Sequence, residues 1–236
     1  MKKSLFGAQR MVITNRFTFL LGRLSKAAFA VPFLTFALCA ANFPDPTVDT
    51  PLAAGKLETA VVAGGCFWGV EGVFESLKGV SAVVSGYAGG NADTAHYEIV
   101  STGKTGHAES VQITYDPSKI SYGQLLKVYF SVAHDPTELN RQGPDWGTQY
   151  RSEIFYVNEE QKKVAEAYIA QLNQSKVYRH PIVTKLEPLQ KFYPAEEHHQ
   201  HFMARNPTYP YIVYNDAPKV RKLYKDFPEM VKGDGK

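Results

Sequence analysis

Thr59-Ala60-Val61-Val62-Ala63-Gly64-Gly65-Cys66-Phe67-Trp68-Gly69-Val70-Glu71 is the stretch on which the chain is organised. Its first five residues are apolar and β-prone, which predicts a buried strand. After the glycines, Val70, Val73, Phe74 and Leu77 recur at i, i+3, i+4 and i+7, the spacing of one buried helical face. Gly64 and Gly65 let the backbone turn sharply between the two elements. Cys66 then falls in the first helical turn, where unpaired N–H groups and the positive end of the helix dipole favour an anion. The expectation is a thiol that ionises more easily than a free one, and hence a nucleophile. The competing reading, a small buried core cysteine, leaves the three surrounding glycines and two aromatics without a purpose.

Working outward, Val80–Ser85 predicts a second strand closed by Gly86-Tyr87-Ala88-Gly89-Gly90, and residues 91–108 a polar loop. Gly103-Lys104-Thr105 is no phosphate loop, because Glu98 stands where the leading glycine belongs. Glu109–Tyr115 alternates as a strand with Glu109 at its start. Ser121 and Gln124 form a capping box opening an amphipathic helix, and residues 134–147 make a second long loop. A strand over Ser152–Val157, a helix capped by Asn158 and running to about Asn173, and a strand over Ile182–Leu186 follow. The remainder predicts one short helix near Glu196–Ala204 and an irregular aromatic tail. Strands and helices mix without strict alternation, so the fold class is α+β.

The 236 residues suffice for one domain with extensions. The net charge of +3 hides an asymmetry: residues 1–44 hold six basic residues and no acid. The remainder is slightly acidic, which gives no electrostatic case for nucleic acid. Residues 1–26 are basic and 27–41 apolar, short enough for the core of an export signal rather than a spanning helix. The expected organisation is a leader over 1–41, a proline-rich linker over 42–56, a catalytic body over 57–228 and a tail over 229–236. Export to the periplasm or beyond is expected, with organelle targeting or membrane anchoring by the leader as alternatives. After leader removal no stable membrane association is expected. The two cysteines, Cys39 and Cys66, make no disulfide framework or zinc motif.

A cysteine nucleophile needs groups that polarise its target. Loop candidates are Tyr97, His107, Glu109, His134, Asp135, Asp145 and Tyr150, each alone more often a structural or solvated residue. Glu109 is distinctive, standing at the start of an otherwise alternating strand: burial beside aromatics would favour its neutral form and make it a proton donor. His198, His199 and His201 read as an exposed helix face rather than a metal site, so no metal is expected.

The run Gly65–Glu71 resembles the signature of the A-type peptide methionine sulfoxide reductases. Ser85–Gly90, Gly106-His107-Ala108-Glu109, Asp145–Ser152 and Phe192–Glu196 with His199-Gln200 resemble further motifs of that family, in order, over about residues 57–228. The resemblance implies a two-layer α/β sandwich with a central mixed sheet, related to the ferredoxin-like arrangement. It implies reduction of protein methionine S-sulfoxide, with Cys66 attacking the sulfoxide sulfur and protonated Glu109 donating to its oxygen. Tyr97, Tyr150 and Asp145 would support that donor, while Phe67 and Trp68 would hold the S-methyl group. A Cys66 sulfenic acid would result. Unlike relatives with resolving cysteines in the C-terminal tail, this chain has none after Cys66, so an external thiol is expected to regenerate it. The expected reductant is a thioredoxin-like or glutaredoxin-like dithiol, the expected partners are oxidised proteins, the expected state is a monomer, and no bound cofactor is expected. The alternatives are a cysteine hydrolase or acyl transferase using His107 or His134 as base, and a non-catalytic module binding oxidised surfaces through Phe67 and Trp68.

Overall fold

The computed structural model describes residues 43–233. The leader expected over 1–41, with Cys39, lies outside them. Strands β1 (Glu58–Gly64), β2 (Val80–Ala88), β3 (Ala108–Tyr115), β4 (Arg141–Gln142), β5 (Asp145–Trp146), β6 (Ser152–Tyr156), β7 (Lys185–Pro188) and β8 (Phe192–Pro194) alternate irregularly with helices. The helices are α1 (Phe67–Glu75), α2 (Tyr97–Val100), α3 (Tyr122–Val128), α4 (Glu159–Gln174), α5 (Phe202–Arg205) and α6 (Ala217–Asp226). Six strands form one sheet in the order β7-β6-β1-β3-β2-β8, and β4 pairs with β5. Only β6 and β7 run parallel, so the sheet is mixed.

Alternation along β1 explains the layers. Ala60 and Val62 join the main core with α1, α3 and α4, whereas Val61 and Ala63 meet Ala88, Ala108 and Phe155 on the opposite face. Val70, Val73, Phe74 and Leu77 are all buried, as their spacing requires. Each such side chain contributes about 1.5–3 kcal/mol relative to exposure. The result is a two-layer sandwich around a mixed sheet.

The capping box is present: Gln124 N–H donates to Ser121 Oγ at 3.1 Å, and Ser121 N–H donates to Gln124 Oε1 at 2.9 Å. Asn158 caps α4 through Gln161 N–H at 2.8 Å. Four expectations change. Residues 43–50, read as linker, are tied to the body. Asp49 accepts from Gly123 N–H at 2.7 Å, Thr50 Oγ1 from Tyr122 N–H at 3.1 Å, and Pro44 O from Tyr168 at 2.7 Å. Prolines keep this arm extended, and α3 and α4 supply partners that a linear reading does not reveal. The strand expected over Ile182–Leu186 begins at Lys185, and the helix near Glu196–Ala204 is a 3₁₀ turn over Glu197–His199 followed by α5. The tail read as irregular contains α6. The last described residues return to α1, where Lys78 N–H donates to Met230 O and Lys232 N–H to Ser76 O, both at 2.8 Å.

Candidate active site

Gly65 has φ +89°, the left-handed region that delivers the chain from β1 into α1. Cys66 is the residue immediately before α1 and is buried among α1, β3 and the C-terminal segment. The next turn passes so close to Asp216 that a Cβ on Gly69 would sit 2.1 Å from Asp216 Oδ1. This fixes why a glycine stands three positions after the cysteine.

Cys66, Phe67, Trp68, Tyr97, Glu109, Asp145, Tyr150 and Tyr211 line one cavity of about 190 Å³. All seven residues to which the family resemblance gave a role are therefore gathered, together with Tyr211, which sequence reasoning missed. Glu109 is the second residue of β3, and its Oε2 accepts the Phe67 backbone N–H at 3.1 Å. Tyr97 begins α2 and is anchored by its backbone N–H to Glu196 Oε1 at 2.9 Å, while Tyr87 donates its hydroxyl to Glu196 Oε2 at 2.9 Å. Tyr211 donates its hydroxyl to Asp145 Oδ2. Lys219 pairs with the fully buried Asp216 at 3.2 Å.

Electrostatics reverse one expectation. Burial pushes the Cys66 thiol well above its ordinary value, and the Glu109 and Asp216 carboxyls add to this. The Trp68 N–H and Lys219 oppose the shift but do not cancel it. The helix terminus is thus present, but desolvation outweighs it. Glu109 is pushed up to about 8, chiefly by burial, with Asp145 and Asp216 adding to the shift and the Phe67 N–H opposing it. Burial likewise raises Asp145, which the Tyr211 hydrogen bond and Lys219 partly hold down. Tyr97, Tyr150 and Tyr211 are all raised, first by burial. Near neutral pH the cavity therefore presents proton-bearing hydroxyls and a neutral carboxyl beside one sulfur.

The remaining candidates are used structurally. His107 accepts Gly90 N–H at Nδ1 (3.2 Å) and meets Asn91 O at Nε2 (2.9 Å). His134 bridges Tyr129 O (3.0 Å) and Ser152 Oγ (2.7 Å), and burial pushes it down to about 3. Asp135 closes a turn onto Thr137. Neither histidine lines the Cys66 cavity, which removes the general base that a hydrolase would need. The three C-terminal histidines diverge: His199 turns into the core while His201 pairs with Glu75 at 2.6 Å. A larger groove of about 770 Å³ runs along Gly89, Arg151 and Lys191. It contains none of the residues that line the Cys66 cavity, and its Arg151 is occupied by Glu153 and the carbonyls of Gly106, His107 and Thr148.

Residues 58–230 match the family model described as peptide methionine sulfoxide reductase. The chain belongs to the peptide methionine sulfoxide reductase family. A relative called peptide methionine sulfoxide reductase MsrA 2, from Mesorhizobium japonicum, is 65% identical over 183 residues, covering 78% of this chain and 93% of the relative. A second with that name, from Synechocystis, is 52% identical over 192 residues, covering 80% and 90%. Among solved structures, reduced Mxr1 from Saccharomyces cerevisiae has a TM-score of 0.59 at 31% identity, covering 69% of this chain and 92% of that one. Methionine sulfoxide reductase A of Corynebacterium diphtheriae gives 0.57 at 32%, covering 70% and 86%. As a reductase of this family the protein is an oxidoreductase that returns methionine sulfoxide to methionine, and the hydrolase alternative is set aside.

Tyr211, Asp216, Lys219 and His199 were the site-proximal residues that sequence reasoning did not assign. Pro218 in the first turn of α6, with Val220, Leu223 and Tyr224 at helical spacing behind it, was the signal for the helix that brings two of them.

Proposed function

We propose that this reductase works through Cys66 on the S epimer of protein methionine sulfoxide. The observation carrying the proposal is a single small cavity that holds one thiol, two aromatic walls and a carboxyl pushed up to about 8. A sulfoxide is a poor electrophile until its oxygen is protonated or strongly hydrogen-bonded. Glu109 supplies the proton, and the Tyr97 and Tyr150 hydroxyls supply further donors; groups aimed at developing charge are worth about 2.7–4 kcal/mol each. Asp145 orients Tyr211 beside them. Phe67 and Trp68 hold the methyl group, since sulfur–aromatic contacts contribute about 0.3–1.5 kcal/mol.

Cys66 sulfur attacks the sulfoxide sulfur as the oxygen is protonated, and the oxygen passes to Cys66. The thiol becomes a sulfenic acid, oxidised by two electrons, and the sulfoxide becomes a thioether, reduced by two. Among the described residues Cys66 is the only cysteine. An external dithiol of the thioredoxin or glutaredoxin type then condenses with the sulfenic acid, releasing water. Its second thiol attacks the mixed disulfide, freeing Cys66 and leaving the dithiol oxidised. A monomeric body over about 57–228, exported by the leader and acting on oxidised proteins, completes the proposal. N-terminal sequencing of the exported protein tests the leader.

The test offers N-blocked methionine S-sulfoxide and R-sulfoxide separately with dithiothreitol, and follows thioether formation. Turnover of the S epimer alone, lost in Cys66→Ser, is expected. A dimedone adduct on Cys66 after single turnover identifies the sulfenic acid. Equal turnover of both epimers, or activity surviving Cys66→Ser, overturns the proposal.

A further inference from the structure

His199 lies outside the lining of the Cys66 cavity, yet it is nearly inaccessible at 3% exposure. Its ring centroid sits 4.3 Å from that of Tyr97, 5.3 Å from Phe67 and 5.8 Å from Trp68, where the planes are stacked. The Trp68 indole Nε1–H donates to His199 Nδ1 at 3.3 Å. Trp68 also stacks on Phe202, with centroids 3.8 Å apart. One imidazole thus touches three of the residues that form the cavity wall.

We infer that His199 is a positioning residue, which sets the Trp68 indole at the angle that receives the substrate's methyl group. This rests on the assignment of Trp68 as a substrate wall. An indole N–H has one donor and no acceptor, so a single partner fixes the ring's rotation about its stem. Accepting at Nδ1 requires the tautomer with the proton on Nε2. That atom is buried without a hydrogen-bond partner, in a ring packed against Tyr97 and Phe67. The arrangement therefore needs a neutral ring: an imidazolium would have no lone pair for Trp68 and would place a charge among Phe67, Tyr97 and Trp68. The groups that bear on this ring are Tyr97 from α2, and Glu196 and His198 from its own turn. Burial and His198 disfavour the cation, Glu196 favours it, and the balance holds His199 below its ordinary value. The neutral ring is consequently the resident form at neutral pH.

Trp68 and Trp146 are the two tryptophans, and Trp146→Phe leaves Trp68 as the sole indole reporter. In that background, emission at successive pH values should change as His199 protonates, and the change should be absent in His199→Phe. Removing the acceptor while keeping ring volume should raise KM for the S-sulfoxide about threefold to tenfold, with kcat within about twofold. His199→Asn, whose side-chain oxygen can accept from the indole, should bring KM back towards the parent. An unchanged KM and unchanged Trp68 emission in His199→Phe overturn the inference, as does a loss confined to kcat. The parent's own titration does not depend on any His199 variant folding. If turnover were absent throughout while the emission change persisted, the nucleophile assignment would fall and the Trp68–His199 contact would be supported.

Discussion

Glu109 Oε2 accepts the backbone N–H of Phe67 at 3.1 Å, so the acid on β3 is registered directly against the residue that follows Cys66. That bond favours the carboxylate, yet burial wins and the group stays protonated up to about pH 8. On the proposed mechanism the protonated form is the active one, so kcat/KM should fall as pH rises through about 8. Glu109→Gln, which retains a donor, should flatten this limb and keep more activity than Glu109→Ala, for which a loss of about 10²–10³-fold is expected. Initial rates with S-sulfoxide from pH 6 to 10 provide the check. Equal losses in both variants count against the proton-donor role.

The Cys66 thiol is raised by burial, with the Glu109 charge second. Alkylation by iodoacetamide should follow the thiolate and therefore show its midpoint above that of a free cysteine. Glu109→Gln removes a like charge and should move the midpoint down. Mass spectrometry of the labelled peptide over a pH series reads both.

Tyr211 is joined to Asp145 across 66 residues of sequence. Tyr211→Phe strips a half-buried carboxyl of its donor, so the Asp145 pKa should rise further and kcat/KM should drop about tenfold. Asp145→Asn, alone and combined with Tyr211→Phe, should show strong non-additivity if the two act as a unit.

Gly69 stands against Asp216, and an added methyl would lie 2.1 Å from a carboxylate oxygen that Lys219 also holds. Gly69→Ala should cost about 1–3 kcal/mol by urea denaturation. A smaller penalty in an Asp216→Ala background would locate the clash.

Glu71 is buried on α1 and pushed up to about 7, mainly by burial. The folded state therefore holds a proton that the unfolded chain releases near 4.5, so stability should decline as pH rises from about 4.5 to 7. Glu71→Gln should remove that decline, with its Tm advantage over the parent growing towards pH 8. A Tm difference independent of pH would contradict the buried neutral acid.

The strand–turn–helix around Cys66 was legible because local rules agree there: β-prone run, turning glycines, 3.6-residue periodicity. The burial and raised pKa of Glu109 were legible for the same reason, since a lone acid heading an alternating strand has few structural uses. Whether Cys66 ionises easily was not. The dipole argument is local, whereas the desolvation that outweighs it is contributed by β3 and by Asp216, 150 positions downstream. Tyr211 and α6 were lost among the aromatic residues of 207–214, where closely spaced tyrosines and prolines blur the helical period. The arm over 43–50 was misread because its order comes from α3 and α4 rather than from its own sequence.

The last described residues lie along the far end of α1: Leu77 bridges Val231, and Ser76 and Lys78 hydrogen-bond to Lys232 and Met230. A ribosome still synthesising residue 210 has already made Cys66, but it has made neither the clasp on its helix nor Tyr211. The newborn chain thus carries an unfinished thiol site until the ribosome has passed residue 232. A chain cut just before residue 228 should lose activity although Cys66, Glu109 and Tyr211 are all retained.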